Sequence, residues 1–213
     1  MSKILKPNLS TIERISDFES VYCVENPIIE DVIIEDCSIG KEVEKGLEIR
    51  DAILRRVNLD GFSCEKLYLR NVRFEKCFLT NAQLEEITMD RVEFINCQLT
   101  GVLMPDSRLN HVWFSNCNMQ LVGMGYSQQK NVHYQECLLR QADFYLNQWK
   151  NVVLNQCDLT GANLAQTKLA GIDISRSSFD NITIGIDDLK GCIVNEEQAR
   201  AFSRLLGLVV RSD

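Results

Sequence analysis

The run Val72-Arg73-Phe74-Glu75-Lys76-Cys77-Phe78-Leu79-Thr80-Asn81 is followed, twenty residues on, by Val92-Glu93-Phe94-Ile95-Asn96-Cys97-Gln98-Leu99-Thr100-Gly101. Within each run an apolar residue returns every fifth place: Phe74 and Leu79, then Phe94 and Leu99. Extended both ways, this frame runs from Ile29 to Val194, and 32 of its 34 central positions are apolar, with Glu44 and Gln129 the exceptions. The place two before the centre is apolar in 26 of 34, and the place after it in only 4 of 33. A period of five matches neither the 3.6 of a helix nor the 2.0 of a plain strand. It fits a chain that turns a corner every five residues, with two inward positions per side. Four sides close a coil of twenty, and that second period is written in Val72, Val92, Val112, Val132 and Val152, and in Cys77, Cys97, Cys117, Cys137 and Cys157. Residues twenty apart then stack about 4.8 Å from each other, as paired strands do. Two nested periods define an all-β solenoid, and the frame is expected to hold without a slip.

The chain has 213 residues, 45% hydrophobic and 25% charged, with three prolines and eleven glycines, a globular composition. No apolar run approaches the ~20 residues of a membrane span, and the first residues lack the apolar core of an export signal, so a cytoplasmic protein without a membrane partner is expected. The net charge of −7 argues against direct nucleic-acid binding. Eight carboxylates crowd residues 10–36 against Arg14 alone, leaving residues 37–213 near balance at 20 basic and 22 acidic groups. Two histidines leave little material for His-based catalysis. There is no nucleophile elbow, H-E-x-x-H or phosphate loop, and Gly123-x-Gly125 lacks the third glycine of a dinucleotide loop. No catalytic, cofactor-binding or metal-binding residues are assigned, and an enzyme is not expected.

The stacked cysteines admit three readings. Stacked inward side chains make the disulfide dihedral difficult, and reduced thiols are the rule in the cytosol. Zinc wants close pairs, which are missing here. What remains is Cys as a small apolar filler of an inward slot. Ser107, Ser127, Asn147 and Thr167 form a polar inward column, expected to bond internally. Gln129 and Trp149 fit their large slots poorly, so local widening or an outward flip is expected near residues 125–150. His111 and His133 fall at outward positions and are expected to face solvent.

The sequence resembles the pentapeptide-repeat proteins, as Cys157-Asp158-Leu159-Thr160-Gly161 and Ala162-Asn163-Leu164-Ala165-Gln166 display most cleanly. The resemblance implies a right-handed quadrilateral β-helix over residues 22–194. Residues 1–21 form an N-terminal cap, with a short turn or helix over Ser10-Thr11-Ile12-Glu13-Arg14-Ile15. Residues 195–213 form a C-terminal α-helix and dimerisation tail. Asn195 followed by Glu196, Glu197 and Gln198 is a helix start with a capping box, and Gly207 is its stop.

The segment Asp188-Leu189-Lys190-Gly191-Cys192-Ile193-Val194, with Leu205-Leu206-Gly207-Leu208-Val209-Val210 after it, is similar to the C-terminal module of the Qnr and MfpA branch, whose dimers bind DNA gyrase. That similarity implies a homodimer through Phe202, Leu205, Leu206, Leu208 and Val210; the alternative is a purely intramolecular cap. It further implies a partner, DNA gyrase or topoisomerase IV, met by a rod resembling duplex DNA, with effects on supercoiling or quinolone sensitivity. Gly40 to Gly46 stands where the first loop of that branch would be and reads as a small bulge, while the longer second loop has no counterpart. Stacking by twenties gathers Glu65, Glu85, Glu86 and Asp106 on one face, beside an apolar patch of Leu103, Pro105, Tyr126, Tyr145 and Leu146. The face with Arg50, Arg70, Arg91, Lys130 and Lys150 is basic. A general protein-interaction scaffold with another partner, docking through Tyr126, Tyr145 and Leu146, is the competing reading.

Overall fold

A computed structural model describes residues 4–9, 13–18, 22–25, 27–40, 42–43 and 46–211. The chain winds as a four-sided parallel β-helix, and the corners explain why. Every fifth residue over long stretches has positive φ, as at Asn71, Lys76, Asn81, Glu86, Arg91 and Asn96, with φ between 53° and 57°. This left-handed conformation turns the strand through a corner, and Asn, Asp and Gly tolerate it best. Among the described residues no Val, Ile or Thr occupies such a corner, as expected where a β-branched side chain would clash.

One coil defines the four walls. Wall 1 points Val72 and Phe74 inward, wall 2 Cys77 and Leu79, wall 3 Ala82 and Leu84, wall 4 Ile87 and Met89; all eight are buried. The long strands β5 (Glu48–Arg55), β7 (Tyr68–Glu75), β8 (Thr88–Ile95), β9 (Arg108–Ser115) and β10 (Gln128–Gln135) run from wall 4 round a corner into wall 1, each paired in parallel with the next at a step of twenty. Walls 2 and 3 are joined by single bridges, such as Phe78↔Gln98 and Gln83↔Leu103. Shorter strands complete the fold: β1 (Glu13–Ile15), β2 (Ile28–Glu30), β3 (Val32–Glu35), β4 (Glu42–Val43), β6 (Ser63–Cys64), β11 (Gln148–Lys150) and β12 (Val153–Asn155).

The core is a set of vertical columns. Phe74, Phe94, Phe114 and Tyr134 stack face to face with centroids 4.6, 4.9 and 5.1 Å apart. Beside them the thiols of Cys77, Cys97, Cys117, Cys137 and Cys157 are free and buried. Each donates to a carbonyl one coil back, from Cys77 Sγ to Leu54 O at 3.3 Å up to Cys157 Sγ to Tyr134 O at 3.4 Å. The neighbouring Cys117 thiol and burial push Cys97 up to about 12; all five side chains are buried and fill space as small apolar groups.

Four expectations are corrected. The frame does slip once: Glu42 pairs with Ser63 and Val43 with Cys64, twenty-one residues apart, before Glu48 meets Tyr68 at twenty. Val43 therefore fills the buried central slot where the strict frame puts residue 44; Lys41, Glu44 and Lys45 of the expected bulge lie outside the described residues. Ser10, Thr11 and Ile12 also lie outside them, and Glu13–Ile15 forms a strand rather than a capping turn, pairing with Val32–Ile34 to extend wall 1. Gln129 does not flip outward. It is 1% exposed because Tyr134 Oη donates to its Oε1 at 2.9 Å and its Nε2 donates to Asn147 Oδ1 at 3.0 Å. Trp149 stays half-buried against Phe144, 5.3 Å between centroids, where the long strand breaks into β11 and β12. The histidines are partly covered: Asn131 and the Leu5 N–H contact His111, and His133 packs edge-on to Trp113 at 5.7 Å.

The expected polar column bonds internally. Ser107 N donates to Ser127 Oγ, Asn147 N to Thr167 Oγ1, Asn147 Nδ2 to Met124 O and Thr167 Oγ1 to Phe144 O, at 2.6 to 3.2 Å. At the far end, α1 (Glu196–Ser203) opens with the expected capping box between Asn195 and Gln198. Gln198 Nε2 then donates to Ile174 O and Ser177 O, and Asn195 Nδ2 to Ser175 O, satisfying carbonyls that the last coil leaves open. A 3-10 turn, Arg204–Leu206, ends at Gly207 with φ 72°. No helix of the described residues is long and apolar enough to cross a membrane.

Candidate functional site

Wall 3 brings all eight predicted partner-binding residues onto one side of the rod. Ser63, Gln83, Leu103, Gly123 and Asp143 form its middle column. Glu65, Glu85, Pro105, Gly125 and Tyr145 follow as the next column, and Glu86, Asp106, Tyr126 and Leu146 stand on its corner, tied by bonds such as Glu86 N to Pro105 O and Tyr126 N to Tyr145 O. The lower coils are therefore acidic and the upper coils apolar. Glu65 is paired with Lys66 at 3.3 Å.

The apolar half is shaped by packing. Tyr126 and Tyr145 meet edge to face at 5.5 Å, and Tyr145 Oη accepts from Gln166 Nε2 at 3.0 Å. Leu103 lies over Gly123, where a Cβ would come within 2.8 Å of its Cδ2. Tyr126 and Leu146 are exposed and hold φ of 62° and 55°, a conformation that costs a bulky side chain more than it costs Asn or Gly. Sequence reasoning missed Leu121, which holds φ 60° and is exposed at the opposite edge of the same wall. Its signal was present: an apolar residue in a corner column otherwise filled by Asn81, Gly101, Gln141 and Gly161.

Wall 4 is less uniformly basic than its sequence suggested. Arg50, Arg70, Lys130 and Lys150 share a column, but Asp90 and Asn110 interrupt it and Arg91 stands on the corner beside Asp90, 3.2 Å away. At the C-terminal end, Phe202 is half-buried with its ring 5.0 Å from Phe179 of the same chain. Leu205, Leu206, Leu208 and Val210 are exposed by 43% to 60%. Asp188, 7% exposed, takes the Lys168 ammonium at 2.8 Å and the Gln166 N–H at 2.9 Å. Burial would raise its carboxyl, but these donors outweigh it and hold the group below the usual range. Among the described residues no three His, Cys, Asp or Glu side chains gather as a metal site would need.

Among solved structures, a trypsin-treated variant of QnrB1, a plasmid-mediated fluoroquinolone resistance protein, is similar at 11% identity and a TM-score of 0.41, over 84% of this chain and 99% of that one. HetL, a pentapeptide-repeat protein involved in heterocyst differentiation regulation from the cyanobacterium Nostoc sp. strain PCC 7120, is similar at 12% identity and a TM-score of 0.26, over 79% of this chain and 90% of that one. No curated protein matches the sequence. A profile described as pentapeptide repeat region matches residues 87–164, and one for pentapeptide repeats matches residues 52–91, 68–104 and 149–181. Together they cover residues 52–181, more than half of the chain, which belongs to the pentapeptide-repeat family.

Proposed function

We propose that this protein is a non-enzymatic, cytoplasmic binding protein that acts as a homodimer on DNA gyrase or topoisomerase IV, offering wall 3 to the enzyme. The observation that carries the reading is the coil-register row of Glu65, Glu85, Glu86 and Asp106 on one wall of the β-helix. Four carboxylates over three coils give about one charge per 3.6 Å of axis, roughly half the density of duplex DNA at about one per 1.7 Å. The adjoining Leu103, Tyr126, Tyr145 and Leu146 add the apolar and aromatic contacts that anchor a protein partner. The exposed Leu205, Leu206, Leu208 and Val210 supply a self-complementary apolar end for the dimer.

The likeness of the C-terminal segment to the Qnr and MfpA branch supports the choice of a topoisomerase. Inhibition is favoured over quinolone protection, since the repeat runs from residue 47 to 194 without a long loop. The test is a supercoiling assay with purified gyrase, with and without a fluoroquinolone. Inhibition at micromolar dimer supports the proposal; an unchanged enzyme in both arms ends it. A scaffold for a different partner is the second reading, favoured by Tyr126 and Leu146, which hold exposed apolar groups on strained corners. Capture of that partner through wall 3, with gyrase unaffected, would select it.

A further inference from the structure

Residues 4–9 lie on the outside of wall 1, far from the strand that follows them in sequence. Arg14 pairs with Ile33, and that column continues through Ile53 and Arg73 to Glu93 and Trp113. Lys6 is found beside Glu93 and Trp113, at least four coils above Arg14. Three contacts hold this strap. The Leu5 N–H donates to His111 Nδ1 at 3.2 Å. Lys6 Nζ is 3.2 Å from Glu93 Oε1 and 4.3 Å from the centroid of the Trp113 ring, a salt bridge and a cation–π contact at once. Pro7 is buried.

Two features of the notch bear on what it can hold. Glu93 occupies an outward position of the wall and, beneath the strap, is only 3% exposed. Arg73 Nε holds one carboxylate oxygen at 2.8 Å, and Lys6 faces the other. Lys6 covers the carboxylate and supplies the second of its two cationic partners, the first being Arg73 of the wall itself. Trp113 is less fully met: its Nε1 is buried and has no acceptor among the described residues. The strap thus satisfies the carboxylate but leaves the indole N–H unmet, so a ligand bringing both a cation and an acceptor would suit the notch better. Beyond Trp113 the same wall continues as an open trough of about 650 Å³ lined by His133, Val153, Asn155 and Asp173, which gives such a ligand room to extend.

We propose that wall 1 is a docking site for an extended segment of a partner protein with an apolar–lysine–proline core, and that residues 4–9 occupy it as the chain's own competing ligand. The site is on a different wall from the topoisomerase surface and does not depend on it. The probe is the labelled hexapeptide Ile-Leu-Lys-Pro-Asn-Leu, followed by fluorescence anisotropy against two full-length chains, wild type and Lys6→Glu. Lys6→Glu ejects the strap, so this chain is expected to bind the peptide about tenfold or more tighter than wild type, which competes with its own strap. A peptide with alanine for lysine should not bind, and Glu93→Gln in the Lys6→Glu chain should abolish binding. If that double variant misfolds, Trp113→Phe in the same background serves instead and should weaken binding several-fold.

Equal binding to both chains, no binding to either, or binding indifferent to the peptide lysine would overturn the proposal. So would light scattering that shows Lys6→Glu mixed with wild type forming larger species dispersed by the peptide. That outcome would assign the notch to the strap of a second copy.

Discussion

Two parts of one core are filled in opposite ways. On the wall 1 side, Phe74, Phe94, Phe114 and the adjoining thiols give each coil the same apolar plug, held by dispersion and exclusion of water. On the wall 4 side, Ser107, Ser127, Asn147 and Thr167 form a polar column, joined by Gln129 and closed by the Tyr134 hydroxyl. Both keep the twenty-residue register. The period therefore demands only that a slot be filled by a side chain of the right size whose polar atoms are met inside; apolarity is the simplest solution and not the only one. Tyr134 shows the compensation most clearly. It is the one tyrosine in a phenylalanine column, and it stands five residues after Gln129, the buried glutamine it bonds.

The largest effect should come from opening the aromatic stack. Phe94→Ala removes a ring sandwiched between two others and is expected to cost about 4 kcal/mol, read by denaturant unfolding. Asn147→Ala should cost about 3 kcal/mol, because it strands Gln129 Nε2 and Met124 O in the interior at once. Tyr134→Phe keeps the stack and removes only the hydroxyl, so about 2 kcal/mol is expected, the penalty of one unmet Gln129 oxygen. If Asn147→Ala and Tyr134→Phe are silent while Phe94→Ala is severe, the polar column is a passenger and the comparison fails.

Smaller effects sharpen it. Asp188 has a lowered carboxyl, so the stability it confers is complete above the ordinary carboxylate value of about 4 and is lost as pH falls through its folded value. The last coil should loosen first on acidification, seen by hydrogen exchange near Gln166, and Asp188→Asn should remove that pH dependence. The thiols give the smallest perturbation. Cys23 is exposed and should label at once with a thiol reagent, while Cys77, Cys97, Cys117, Cys137 and Cys157 should react only at the rate of unfolding.

The repeat made the fold and most of wall 3 legible, since a rigid period turns sequence distance into spatial distance. Where reading failed, the cause was local. At Val43 a one-residue slip kept a slot apolar, and strict counting put Glu44 there instead. At Gln129 the fit depended on a partner in the next wall, which counting along one column does not see. The strap was invisible because Leu5, Lys6 and Pro7 carry no period and acquire meaning only where the chain folds back on Glu93 and Trp113.

The most direct measurement is gyrase supercoiling titrated with three purified chains: wild type, a wall 3 reversal (Glu85→Lys, Glu86→Lys, Asp106→Lys) and a wall 4 reversal (Lys130→Glu, Lys150→Glu). Wild type should inhibit at micromolar dimer, the wall 3 reversal should weaken inhibition by about tenfold or more, and the wall 4 reversal should change it by less than about threefold. Wild-type protein that leaves supercoiling untouched, or a wall 3 reversal as potent as wild type, would contradict the assignment of that wall to a topoisomerase.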